Sequence, residues 1–285
     1  MREYFSEMEE IKTYADFVSN VSTKHKIRTL ARDFTVAAKS VSSKIPVTNS
    51  WIRLVYYHHV FDDERKGFEK QIKYMKNYGE FISLDQVVQL INGEEKLSGR
   101  YFSMSFDDGI QNNYTNMMPI TDAHDVPVII YLPTDYIGRQ DYTSEEKRRI
   151  GLKLPENPKQ LSYLSWDQCI EMLDHKVTFG SHTASHRKLS TLDAEQIKFE
   201  LESSKKIIED NLKQTCEHFA PPNGNINVDF DPEISEKIAR EAGYKTLVSA
   251  TRGITRQTSN LFCLRREHLI GAWGNYQLKY FLSRT

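Results

Sequence analysis

The stretch Tyr101-Phe102-Ser103-Met104-Ser105-Phe106-Asp107-Asp108-Gly109 decides how the rest of the chain is read. Phe102, Met104 and Phe106 recur at period two, which predicts a strand over 101–106. The run then ends in two adjacent carboxylates and a glycine. Neighbouring side chains inside a strand point to opposite faces, so two adjacent Asp share a site only where the chain turns. Gly109 tolerates the dihedrals that such a turn needs. Two carboxylates brought close repel, and a cation or a shared proton must offset that repulsion. A plain solvated Asp-Asp-Gly turn is an equally common outcome, so the surrounding chain has to decide.

Working outward, strands alternate with helices. A strand over 54–57 ends in His58-His59, and a helix over 68–78 carries Phe68, Ile72 and Met75 on one face. A short helix over 85–91 stops at Gly93. Past the central strand, a helical connection through Met117, Met118, Ile120 and Ala123 leads to an apolar run over 126–132, the mark of a strand buried on both faces. Next come a helix over 166–173, a strand over 177–181 and the longest helix. Thr191 or Asp193 caps that helix, and Ile197, Leu201, Ile208 and Leu212 form its buried stripe. A strand over 218–220, a helix opened by Asp231-Pro232 and closed before Gly243, strands over 246–249 and 261–264, and a helix over 276–282 complete the chain.

About seven strands alternating with helices argue a parallel α/β architecture over residues 51–285, preceded by an N-terminal helical arm over 1–50. Such folds bind ligands at the carboxyl ends of their strands. Those ends carry His58-His59, Asp107-Asp108, Pro133-Thr134, Ser181-His182, 221–224, Thr251-Arg252 and Arg265-Arg266. Random strand ends would rarely collect so many ligand-type side chains, which points to an enzyme. In the arm, Ile11, Tyr14 and Phe17 are spaced by three and a basic patch follows at Lys24, His25, Lys26 and Arg28. The arm is read as a helix packed on the body, with a partner or membrane-surface contact as the alternative. The charged, Pro-containing segment over 138–164 is too long for an ordinary connection and is the place to look for substrate specificity.

Composition excludes several classes. The 285 residues carry a formal net charge of −1, so bulk attraction to nucleic acid or anionic lipid is not expected. Cys169, Cys216 and Cys263 form no CxxC pair and read as buried free thiols rather than a disulfide framework or thiolate metal site. Residues 1–20 hold no apolar core of signal-peptide length and no later stretch suits a membrane span. A cytoplasmic protein without stable membrane insertion, or one working at the membrane face, is therefore expected; a trimmed chain would look the same. Oligomeric state is not legible.

The second chemical stretch is Phe179-Gly180-Ser181-His182-Thr183-Ala184-Ser185-His186, directly after a strand. Two His four residues apart fall on one face if the chain enters a helical turn there, the geometry of metal-binding His pairs. One carboxylate and two imidazoles leave coordination positions for water and substrate, as catalytic sites require. His-x-x-x-His alone is a weak signal. Together with Asp107-Asp108 at another strand end it is far more specific.

These motifs resemble those of the NodB-homology polysaccharide deacetylases, the fourth family of carbohydrate esterases, and the resemblance runs from about Leu54 to the C-terminus. It implies a distorted (β/α)7 barrel. Ser-Phe-Asp-Asp-Gly is similar to the family's Thr-Phe-Asp-Asp-Gly, which implies Asp107 as general base and Asp108 as metal ligand. His182 and His186 match the His-(Ser/Thr)-x-x-His motif and are implied as the other two ligands of a divalent cation: zinc, or else cobalt or nickel. Tyr57-His58, and the pattern from Leu161 to Leu189 with Trp166 and Gly180, resemble the subgroup of poly-N-acetylglucosamine deacetylases. Trp166 is weighed as a sugar platform against an ordinary core residue.

The chain also departs from the family. Where the third motif commonly reads Arg-x-Pro-Tyr, this chain has Phe219-Ala220-Pro221-Pro222-Asn223-Gly224. The Arg that would hold the base is absent there, and Arg266 is the expected substitute. Asn223 replaces the motif's aromatic, leaving Pro222 and Asn223 as candidates to face substrate and oxyanion. His58 and His268 are both candidates for the general acid. The implied activity is metal-dependent removal of N-acetyl groups from an amino sugar in a polysaccharide or a saccharide precursor. A deformylase or O-acetyl esterase, and a non-catalytic saccharide-binding protein, are the alternatives. A phosphoester hydrolase is disfavoured because no Gly-rich phosphate cradle borders the motifs.

Overall fold

Residue parity along the central strand decides which side chains enter the barrel. In the computed structural model, which describes residues 10–18, 23–139 and 161–284, that strand is β3 (Arg100–Asp107). Phe102, Met104 and Phe106 face outward into the main core, while Ser103, Ser105 and Asp107 occupy the alternate positions. Around it lie β1 (Trp51–Tyr57), β2 (Glu80–Phe81), β4 (Val128–Leu132), β5 (Val177–Ser181), β6 (His218–Phe219), β7 (Thr246–Leu247) and β8 (Arg266–His268). The order is β7-β6-β5-β4-β3-β1-β8, with β2 beside the start of β3, and the paired strands are parallel.

The two ends of this sheet meet. The Leu264 N–H donates to the Leu247 carbonyl at 3.0 Å, and the Ser249 N–H donates to the Leu264 carbonyl at 2.7 Å. The expected distorted (β/α)7 barrel is what forms, with β2 as a short addition. Its outer faces are covered by α3 (Arg65–Lys76), α5 (Met118–Ala123), α6 (Trp166–Met172), α7 (Ala194–Leu212), α8 (Pro232–Glu241) and α9 (Asn275–Leu282). Helix α4 (Leu84–Asn92) instead sends Leu84, Val87 and Leu90 against the interior residues Ile52, Leu54, Ile129 and Leu264. It plugs the end where the strands begin: its Asp85 meets His218, the first residue of β6, at 3.1 Å. Side-chain caps at Ser83, Ser165, Asp193 and Asp231 start four of these helices; of these, Asp193 and Asp231 are singled out from sequence.

Two expectations are corrected. Residues 261–264 are not a strand; Leu261–Cys263 is a 3-10 turn capped by Asn260, and the strand begins at Arg266. The apolar run Leu261 to Leu264 looked like strand, but its apolar side chains pack from a turn. Residues 43–50 are not helical; among the described residues the arm holds α1 (Tyr14–Phe17) and α2 (Thr23–Ser42), with α2 packed against α9. Within the long 138–164 segment, residues 140–160 lie outside the described residues. Its returning flank is anchored beside the central turn, where the Leu164 N–H donates to Gly109 and the Gln111 N–H to Ser162, at 2.9 and 2.8 Å. No helix among the described residues is long and apolar enough to cross a membrane. Cys169 and Cys216 are buried free thiols, each pushed up to about 12 by burial.

Candidate active site

At the end of β3 the chain turns inward through two left-handed residues, Asp108 at φ 75° and Gly109 at φ 62°. A Cβ on Gly109 would approach Leu132 Cδ2 to 2.8 Å, so both backbone conformation and space require glycine. Asp107 thus remains a strand residue facing the barrel axis, while Asp108 swings toward the loop after β5. The turn resolves the parity problem posed by adjacent carboxylates.

His182 and His186 are brought together differently from the helical turn expected from their spacing. The chain after β5 is an irregular loop in which Thr183 (φ 66°) and His186 (φ 54°) are both left-handed. Local hydrogen bonds impose that shape: Ser181 Oγ accepts from the Thr183 N–H at 3.2 Å, and Thr183 Oγ1 accepts from the His186 N–H at 3.1 Å. Between the two His, the Ser185 N–H donates to Glu200 Oε2 at 2.8 Å and the Ser185 hydroxyl donates to Glu200 Oε1. Glu200, buried on α7, therefore pins the middle of the loop.

Asp108, His182 and His186 converge in a buried group whose ligand atoms lie within 4.8 Å of one another. Asp108 Oδ1 lies 3.4 Å from His182 Nε2 and 3.2 Å from His186 Nε2. That oxygen is buried without a hydrogen-bond partner, an arrangement that costs free energy unless something else satisfies it. His182 Nδ1 donates to the Ala220 carbonyl at 2.6 Å, which fixes the tautomer and turns the Nε2 lone pair inward. Two imidazole nitrogens and a carboxylate oxygen fit a divalent cation of the zinc, cobalt or nickel type. Burial alone would raise the Asp108 carboxyl, but the two adjoining His hold it well below the ordinary value.

Asp107 has a different partner. Arg266 from β8 donates Nη1 and Nη2 to the two carboxylate oxygens at 2.7 and 2.9 Å. Arg266 also donates Nη1 to Ser105 Oγ and Nε to the Ser249 carbonyl, both at 3.1 Å, and lies over the Tyr56 ring at 4.2 Å. The charge is buried but paired, hydrogen-bonded and stacked, which is what a buried guanidinium needs. Burial would raise Asp107 too; the guanidinium, followed by His182 and His58, holds it below the usual carboxylate range.

Above these groups lies a pocket of about 280 Å³. Of the residues singled out from sequence, Asp107, Asp108, His58, His182, His186, His268 and Asn223 line it, and Arg266 stands behind Asp107. The His58 and His268 rings meet edge-on, with centroids 5.0 Å apart and an interplanar angle of 90°. Burial pushes His58 below its ordinary value against the pull of Asp108 and Asp107. His268 is driven well below by burial together with His58, Arg252 and Arg266. Asn223, left-handed at φ 62°, is exposed at the rim, with Pro222 buried behind it and not among the lining residues. Trp166 is also not among them; it packs against the main core as the first residue of α6. Sequence reasoning missed Tyr14 and Phe17 as lining residues and Glu200 as the loop's anchor. The spacing of Ile11, Tyr14 and Phe17 was the available signal, but it read as a packing stripe.

The structure resembles IcaB from Ammonifex degensii with a TM-score of 0.67 at 18% identity, over 83% of this chain and 98% of that one. It resembles the Streptococcus pyogenes deacetylase PplD, solved with acetate, with a TM-score of 0.63 at 20% identity, over 83% and 99%. At these identities the likeness shows the fold. In sequence, the chain is 22% identical over 243 residues to YxkH of Bacillus subtilis (strain 168), provisionally named a polysaccharide deacetylase, covering 80% of this chain and 78% of that protein. The family model for polysaccharide deacetylases matches residues 94–247, a span that holds Asp107, Asp108, His182 and His186. This chain belongs to the polysaccharide deacetylase family.

Proposed function

We propose that the protein is a metal-dependent hydrolase that removes N-acetyl groups from an amino sugar of a polysaccharide or saccharide precursor. The observation that carries this reading is one pocket in which an Arg-held carboxylate, Asp107, adjoins the Asp108–His182–His186 group. A divalent cation held by those three residues supplies Lewis-acid polarisation of the acetyl carbonyl and lowers the pKa of water.

The chain's own residues do the rest. Asp107 takes the proton of the attacking water. Arg266 occupies one lone-pair direction on each Asp107 oxygen and leaves others free, so the base is oriented without being consumed. The backbone N–H of Asn223, at the rim of the pocket, is the candidate donor to the oxyanion. His58 is the candidate proton donor to the leaving amine. Asp107 and Asp108 both favour a charged His58, whereas His268 has Arg252 and Arg266 among its neighbours. His268, edge-on to His58, then positions that ring.

The test is acetate release from N-acetylated oligosaccharides by the metal-loaded protein, before and after chelation, beside Asp108→Ala. Metal-dependent release abolished by the substitution is the expected result. Bound metal with no acetate release from any sugar would sink the N-deacetylase assignment and favour another acyl group.

A further inference from the structure

One wall of the pocket comes from outside the barrel. Tyr14 and Phe17 line it from the N-terminal arm, together with His58, His59 and His268. Neither lies within the residues matched by the family model, 94–247. The segment that carries them is tied down at several points. Ile11 is buried at 3% exposure in a cluster with Phe61, Ile110 and Tyr136. The Asp62 N–H donates to the Lys12 carbonyl at 3.0 Å, and Asp63 accepts from the Tyr14 N–H at 2.8 Å. Thr13 Oγ1 caps the short helix by accepting from the Asp16 N–H at 3.0 Å.

The two rings are held as a surface. Phe17 packs on His59 and Phe61 at centroid distances of 5.2 and 5.5 Å, and Tyr14 packs on His59 at 5.9 Å. His59 is itself fixed by Glu64, 2.9 Å from its Nδ1. Both aromatic residues are only partly buried, and what they leave open faces the same pocket as Asp107 and Asp108. A pocket that is aromatic on one side and carries carboxylates and imidazoles at its floor suits an amphipathic ring: a pyranose, with an apolar face of C–H groups and a polar edge.

Building on the deacetylase reading, we infer that Tyr14 and Phe17 are a substrate-binding wall, on which the sugar ring stacks while its acetamido edge meets the floor. The arm is then part of the binding site, and recognition extends beyond the acyl group to the sugar ring.

The test separates ring recognition from chemistry. Glucosamine oligomers of two to five units, which carry no acetyl group to lose, are titrated calorimetrically into the metal-loaded wild type, Tyr14→Leu, Phe17→Leu and Tyr14→Phe. The Leu variants keep apolar volume for the Ile11–Phe61 cluster and lose the ring; Tyr14→Phe keeps the ring. Expected is a loss of binding of about tenfold for each Leu variant, the scale of an aromatic contact, with wild-type binding by Tyr14→Phe. The melting temperature should stay at the wild-type value in all of them. Unchanged oligomer binding in the Leu variants, or no binding by the wild type, would overturn the inference. So would a parallel loss of melting temperature in the Leu variants, which would make the two rings a structural clamp. Ring-dependent binding without acetate release from N-acetylated oligomers would instead refute the deacetylase reading and leave the wall standing.

Discussion

Arg266 and Asp107, 159 residues apart in sequence, form a two-point ion pair inside the barrel at 2.7 and 2.9 Å. Removing one partner leaves a buried charge alone. Arg266→Met is expected to destabilise the protein by about 3–5 kcal/mol, read by urea unfolding. Asp107→Asn keeps the shape and is expected to lower turnover by about 10²–10⁴-fold with metal content unchanged. Near-full activity in Asp107→Asn would remove it as the general base.

On the proposed reading, a cation held by Asp108, His182 and His186 would contribute to stability as well as to catalysis. Saturation at about 100 times the dissociation constant should add about 2.7 kcal/mol to the unfolding free energy. Chelation should therefore lower the melting temperature of the wild type and leave that of His182→Ala unmoved. Equal responses in the two proteins would show that the cation sits elsewhere.

Glu200 touches neither the pocket nor a ligand atom, yet it holds Ser185 midway between His182 and His186. Glu200→Ala should weaken metal affinity by about tenfold or more, at the lower end of what supporting residues contribute. Competition with a fluorescent chelator measures this. An unchanged affinity would mean that the left-handed Thr183 and His186 hold the loop unaided.

Stability should depend on pH in two windows. His58 and His268 sit below their ordinary value of 6.5 in the fold, so the unfolded chain binds more protons between their folded values and 6.5. Their contribution is complete above that pH and is lost as pH falls through the window. Asp107, also depressed, contributes above 3.8 and loses its share as pH falls further, through its folded value. In the metal-free protein, His268→Gln should flatten the upper window and leave the lower one in place. Melting curves from about pH 2 to 8 that match the wild type throughout would contradict this.

Much of the fold was legible because its signals are local. Period-two apolar residues marked β3, Asp193 and Asp231 opened α7 and α8, and the continuous apolar run marked β4 as buried on both faces. The strand at 266–268 was misplaced because it is three residues long and wholly polar, Arg266-Glu267-His268. Its hydrophobic signal is absent; closure of the barrel makes it a strand.

The same division runs through the candidate site. Residue types and strand ends were enough to single out Asp107, Asp108, His182 and His186, because coordination and proton transfer demand particular side chains whatever the fold. Their arrangement depended on backbone that spacing does not encode. His182 and His186 converge through two left-handed residues and a Glu200 anchor, not through a helical turn. The arm's Tyr14 and Phe17 became a pocket wall only when Ile11 was buried against Phe61 and Ile110. Sequence alone determined which chemistry the chain can carry, since that resides in side-chain identity and local periodicity. Tertiary structure decided which groups share the pocket, because barrel closure and the docking of the arm bring together residues with no local relation in the chain.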